Sequence, residues 1–207
     1  MQIYLIRHGK TKGNLEGRYV GSTDEDLLPE SAAELSGRYG QAGKMDMVYC
    51  SRLRRCLQTA QLLFPESPCM VWDGLEEMDF GAYEYKNYEE LKEDAAYQAW
   101  LESGGTSLFP EGEGEENFRA RCRRAFLGCL EDARRKGYGN VAFVVHGGTI
   151  MAVMEAFAAE KRGYYGWQVK NGCGYRAIWE NFPQEDPVLG EIGELLEGGV
   201  RTGDRHA

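Results

Sequence analysis

Met1-Gln2-Ile3-Tyr4-Leu5-Ile6-Arg7-His8-Gly9 is the stretch that decides the fold. Its apolar run is too short for a globular helix and halts at a glycine, which is the pattern of a buried strand running into a turn. Arg7 and His8 are therefore predicted at the carboxyl end of a strand, where the crevice of an open α/β sheet takes its ligands. A second such stretch lies far downstream. Val141-Ala-Phe-Val-Val145 is another apolar run that ends in a histidine and glycines, His146-Gly147-Gly148, followed by Thr149 and a helix-like segment. The chain has three histidines, and two of them end strands in this way.

Between and beyond these two strands, extended and helical patterns alternate. Met45 to Cys50 and Met70 to Trp72 are predicted strands, and Cys173 to Trp179 a last one. Pro29 to Gln41, Tyr88 to Leu101, Glu115 to Arg135 and Gly148 to Ala159 are predicted helices. The clearest is Glu115 to Arg135, with Phe118, Cys122, Phe126, Cys129 and Leu130 on one stripe and a stop at Gly137. This alternation predicts an α/β fold, a three-layer α/β/α sandwich with a mainly parallel central sheet. One domain is expected over 1–182, with a lid-like helical and loop insertion at 85–115. A polar C-terminal extension, 183–207, carries a weak helical stripe at Leu189, Ile192, Leu195 and Leu196.

Composition narrows the function. The 207 residues suffice for a substantial core. A formal net charge of -9 argues against nucleic acid or an anionic membrane as the main partner. No apolar run approaches the ~20 residues that span a bilayer. The six cysteines have no paired spacing, which fits a reduced cytoplasm. No HExxH or CxxC spacing accompanies the histidines, so no metal site and no cofactor are expected.

The chemistry lies where anions would bind. Ser51 follows a strand and is predicted to cap a helix whose first turn holds Arg52, Arg54 and Arg55. Three cations oppose the helix dipole there, and a phosphate held by an arginine fork would account for at least one. In Leu75-Glu76-Glu77-Met78-Asp79-Phe80 carboxylates alternate with apolar residues, so some acid faces a partly buried surface and can serve as a proton donor. Asn14 and Arg18 are candidates for a substrate-facing wall. Two histidines, two arginines and an acid together predict phosphoryl transfer to a histidine, for which neutral imidazole is a competent nucleophile without a metal.

These residues resemble a known family. Arg7-His8-Gly9 with Thr11 and Asn14 is similar to the RHGxTxxN signature of the histidine phosphatase superfamily, which includes the cofactor-dependent phosphoglycerate mutases. Four further blocks follow in the family's order: Gly17-Arg18 through Asp24 and Leu27, Ser51 through Ala60, Leu75 through Gly81, and Val145 through Ile150. The resemblance implies a phosphoglycerate mutase-like fold, His8 as the phosphorylated nucleophile, and Arg7, Arg55 and His146 around the phosphoryl group. It places Glu77, rather than Glu76, as the proton donor. Asn14, Arg18 and Gly147 are implied near the substrate, with backbone N–H groups at Gly147 and Gly148 adding to the anion pocket. The chain departs from the pattern at Asp26, Ser31 and Gly114. The implied activity is hydrolysis of a small phosphorylated metabolite, with alpha-ribazole 5'-phosphate as one candidate. The alternatives are a cofactor-dependent phosphoglycerate mutase and a silent relative that binds phosphorylated ligands.

Overall fold

The computed structural model describes residues 1–36, 38–39, 43–103, 109–179, 188–196 and 199–201. Its strands are β1 (Gln2–Arg7), β2 (Met47–Cys50), β3 (Cys69–Val71), β4 (Asn140–Val145), β5 (Gly174–Trp179), β6 (Leu189–Leu196) and β7 (Gly199–Arg201). They form one sheet in the order β3-β2-β4-β1-β5-β6-β7. The first four in that order are parallel, and β5, β6 and β7 are antiparallel to their neighbours. The helices are α1 (Lys12–Leu15), α2 (Pro29–Leu35), α3 (Arg54–Leu63), α4 (Tyr88–Leu91), α5 (Ala95–Glu102), α6 (Glu115–Lys136) and α7 (Gly147–Phe157).

Alternation along the central strands explains the three layers. Ile3 and Leu5 of β1, with Val141, Phe143 and Val145 of β4, join a core that includes Phe126, Leu130, Val153 and Met154 from α6 and α7. Tyr4 and Ile6, with Ala142 and Val144, join a second core with Leu35, Cys56, Ala60 and Leu63 from α2 and α3. Every side chain from Ile3 to Ile6 is thus buried, because each face of the sheet carries its own helices. At about 1.5–3 kcal/mol for each fully buried aliphatic side chain, β1 and β4 anchor the domain.

The pairing of β1 and β4 also fixes the site. Arg7 is opposite Val145, so His8 and His146 are the next residues on adjacent parallel strands, and the His8 N–H donates to the Val145 carbonyl at 3.0 Å. On the other side of β1, Gly174 pairs with Ile6. A Cβ at Gly174 would lie 1.8 Å from the Leu5 carbonyl oxygen, so no other residue fits without forcing β5 away from β1. Gly174→Ala is expected to cost about 3 kcal/mol, or roughly 6–12 °C in melting temperature for a chain of this size. An unchanged thermal midpoint would mean that β5 shifts freely.

Four expectations are corrected. The stripe at Leu189, Ile192, Leu195 and Leu196 is no helix but strand β6, part of the same sheet. Residues Gly190 to Gly193 pass opposite Arg176 to Ile178, so a bulge inserts one extra residue, with Glu191 at φ 45°. That bulge turns a two-residue period into one resembling a helix. Consequently β5 is not the last strand. Second, the helix expected over Tyr88 to Leu101 is two: Asn87 and Glu90 form a capping box for α4, and the Asp94 carboxylate accepts from the Tyr97 N–H to start α5. Third, α2 ends at Leu35, with part of the remainder of its expected span lying outside the described residues. Fourth, α3 starts at Arg54 with Leu53 as its cap residue, and not at Ser51. The tail beyond 201, with His206, and residues 104–108 of the expected lid lie outside the described residues.

Candidate active site

The two strand-end histidines face each other edge to face, with ring centroids 5.2 Å apart. His8 is 3% exposed and His146 fully buried. The Nδ1 of His8 lies 2.6 Å from the Gly9 carbonyl oxygen. A carbonyl only accepts, so Nδ1 carries the proton and Nε2 keeps its lone pair. His146 is committed at both nitrogens. Its Nδ1 accepts from Arg55 Nε at 3.4 Å, and its Nε2 then donates to the Ser51 hydroxyl at 2.9 Å. Ser51 precedes the cap residue of α3, and its oxygen serves the histidine and, at 3.4 Å, the Leu53 N–H.

Burial, followed by the positive charges of Arg55 and Arg7, holds the His8 imidazole well below the ordinary histidine range. The same direction holds for His146, again by burial first and Arg55 next. Both rings are neutral at pH 7, the form in which Nε2 of His8 can attack. The sign for stability follows. The unfolded chain takes up protons on these rings as pH falls through about 6.5, while the folded chain does not, so stability is full above that value and declines below it. Urea melts at pH 7.5 and 5.5 should show a smaller decrement for His8→Asn than for the unaltered chain; equal decrements would show that His8 is protonated in the fold.

Arg7 and Arg55 differ in use. Arg7 Nη1 donates to the Val169 carbonyl at 2.8 Å, and its buried Nε has no hydrogen-bond partner among the described residues. It is a cation with a donor to spare. Arg55 is fully buried, and besides His146 it donates to the carbonyls of Thr23 (2.6 Å), Gly21 (2.8 Å) and Val20 (3.3 Å). It therefore ties the loop before Asp24 to the histidine. Arg52 and Arg54 point elsewhere, Arg52 to Asp73 and Glu76, Arg54 to Asp24 and Asp26.

The acid segment separates its two glutamates. Glu76 accepts from Arg52 Nε at 2.7 Å and from the Gly74 N–H at 2.8 Å. Glu77 instead accepts from the Met78 N–H at 3.0 Å and from the Gly148 N–H, at the start of α7, at 2.9 Å. The Gly148 N–H expected in an anion pocket is thus occupied by Glu77. Arg121 of α6 braces this segment, donating to the carbonyls of Gly74, Glu76 and Glu77 and pairing with Glu113.

Arg7, Asn14, Arg18, Glu77, Gly147 and Gly148 line one cavity of about 550 Å³. His8, Arg55 and His146 are buried and not among the lining residues. Its wall is aromatic, with Tyr19, Phe80, Trp100, Phe118, Tyr164 and Tyr165. Arg18 lines it, but its guanidinium is held by Glu16 (2.5 Å), Glu90 (2.9 Å) and the Tyr85 carbonyl. Asn14 closes a capping box with Thr11 and accepts from Asn171 at 3.0 Å.

Asn171 escaped the sequence reading. Its amide also donates to the carbonyls of His8 (3.1 Å) and Gly9 (3.3 Å), fastening the turn after β1 from outside. The available signal was the Asn171-Gly172 dipeptide, which marks a turn but no role. The departures have structural uses: the buried Ser31 hydroxyl accepts from the Lys10 N–H, and Asp26 holds Arg54 and Gln58. Among the described residues no group of three or more His, Cys, Asp or Glu is arranged to hold a metal, and no helix is long and apolar enough to cross a membrane.

Comparison with known proteins gives one family. A family model described as histidine phosphatase superfamily (branch 1) matches residues 3–182. The adenosylcobalamin/alpha-ribazole phosphatase of Escherichia coli (strain K12) is 27% identical over 180 residues, which are 84% of this chain and 87% of that protein. The crystal structure of the alpha-ribazole phosphatase from Shigella flexneri superposes with a TM-score of 0.79 at 26% identity, covering 91% of this chain and 94% of that one. The phosphoserine phosphatase of Entamoeba histolytica in complex with 3-phosphoglyceric acid does so with 0.74 at 26% identity, covering 92% and 95%.

Proposed function

Since the chain belongs to the histidine phosphatase superfamily, we propose that it hydrolyses a small phosphomonoester through a phosphohistidine on His8, with alpha-ribazole 5'-phosphate as its substrate and the cytoplasm as its location. The observation that carries the reading is a bare ring nitrogen: of the two described histidines, His8 has Nε2 free to attack, while both nitrogens of His146 are engaged. Arg7, with its unpartnered Nε, and the Gly147 N–H at the start of α7 are the donors offered to the phosphoryl oxygens. In the first step His8 Nε2 bonds to phosphorus, the ester P–O bond breaks, and a proton passes from Glu77 to the leaving oxygen. Water then attacks phosphorus, its proton goes to Glu77, and the N–P bond breaks to release phosphate. His146 and Arg55 contribute charge and fixed dipoles from below.

The cavity wall supports the choice of substrate. Six aromatic side chains suit a ribose phosphate that carries an aromatic heterocycle. A phosphoglycerate needs a second cation for its carboxylate, and Arg18, the cation that lines the wall beyond Arg7, is already paired with two glutamates. That difference favours hydrolysis over the mutase reaction. A panel of phosphomonoesters tests it: alpha-ribazole 5'-phosphate should give a kcat/KM at least about tenfold above phosphoserine and 3-phosphoglycerate. Activity should survive a chelator, and 3-phosphoglycerate with its bisphosphate primer should yield no isomer. Isomerisation outpacing phosphate release would reverse the assignment.

A further inference from the structure

Two cysteines that the phosphatase chemistry does not use lie side by side at the edge of the sheet. Cys50 ends β2 and is buried, whereas Cys69 opens β3 and is exposed. Their sulfurs are 3.1 Å apart. In the parallel pairing Cys69 is opposite Val48 and Cys50 opposite Val71, so both thiols are on one face of the sheet, two residues apart along it. β3 is an edge strand of three residues, paired to β2 alone, and its side chains at both ends are exposed. It is therefore the element free to shift along β2, as closing a bond between sulfurs on diagonal positions requires.

We propose that Cys50 and Cys69 are a reversible dithiol–disulfide site that reacts with peroxides. The hydrogen bond between the two sulfurs lowers the Cys69 thiol from its ordinary range and, with burial, raises that of Cys50. Cys69 is thus both the accessible sulfur and the one favoured as thiolate, the combination that sets reactivity. Burial pushes the thiols of Cys56, Cys122 and Cys129 up and keeps them inert. The Cys69 thiolate attacks one peroxide oxygen, the O–O bond breaks, and a sulfenic acid forms as hydroxide leaves. Cys50 then attacks the Cys69 sulfur, the S–O bond breaks, and water leaves with the Cys50 proton. Two thiols and one hydrogen peroxide become one disulfide and two waters.

The test treats the full chain with a small excess of hydrogen peroxide at pH 7.5, then counts thiols after denaturation and maps peptides without reduction. The thiol count should fall from six to four, with a Cys50–Cys69 cross-linked peptide, and return to six with dithiothreitol. Cys69→Ala, a change at an exposed position, should keep its five remaining thiols under the same dose, and Cys50→Ala should stop at an oxygen adduct on Cys69. Oxygen adducts on Cys69 in the unaltered chain with no cross-link, or an equal loss of thiols in Cys69→Ala, overturns the proposal.

Discussion

His8→Ala is expected to lower turnover on the order of 10^4-fold to 10^6-fold, the scale on which losing a covalent nucleophile acts, and to abolish acid-labile phosphate labelling of the protein with it. The pairing of the two effects is what makes the result informative. A histidine that merely oriented the substrate would, when removed, slow both steps and still let label accumulate on another residue. The obvious other residue is His146, whose ring centroid lies 5.2 Å away. It is a poor replacement on geometric grounds. For His146 Nδ1 to attack it must abandon Arg55, and for Nε2 to attack the ring must move its proton to Nδ1, which breaks the bonds to both Ser51 and Arg55. Quenched-flow labelling with a radioactive phosphomonoester, run beside circular dichroism to establish that the variant folds, measures both quantities. Label retained on His8→Ala would move the nucleophile to another side chain.

The legible parts of this chain are those where one local rule acts alone. Ile3 to Ile6 and Val141 to Val145 read as buried strands because helices cover both sheet faces, and a histidine after each then falls at a carboxyl end. Adjacency of β1 and β4 places those histidines together, and nothing in either stretch specifies adjacency. Two competing partners hid the rest. Ser51 carries the signature of a helix cap, yet its oxygen holds His146, a residue 95 positions away. Arg18 reads as a substrate contact, and it does line the cavity, but Glu16 and Glu90 occupy its charge. In β6 an extra residue at Glu191 scrambled the period by which strands are recognised. Asn171 reaches the His8 turn through backbone carbonyls, which leave no mark in the residues they belong to.

The same distinction between a position and its partners governs the largest remaining effect, that of Glu77→Gln. An amide of the same shape cannot supply a proton, so the loss should depend on how badly the leaving oxygen needs one. Alkyl phosphates, whose alkoxides are poor leaving groups, should lose about 10^2-fold to 10^4-fold in kcat, the range for general acid catalysis. p-Nitrophenyl phosphate, which departs as a stable anion, should lose about tenfold or less. The seat of the side chain makes the substitution a clean one. Glu77 has one oxygen on the Gly148 N–H and the other on the Met78 N–H, and glutamine can keep one of these bonds through its carbonyl oxygen. Gly148 itself is what admits the carboxylate, since a Cβ there would lie 2.2 Å from Glu77 Oε1. Gly148→Ala should accordingly displace the acid and reproduce the alkyl-selective loss with Glu77 still in the sequence. Equal losses on alkyl and aryl esters in Glu77→Gln would mean that the carboxylate holds the α7 terminus in place and that the proton comes from elsewhere.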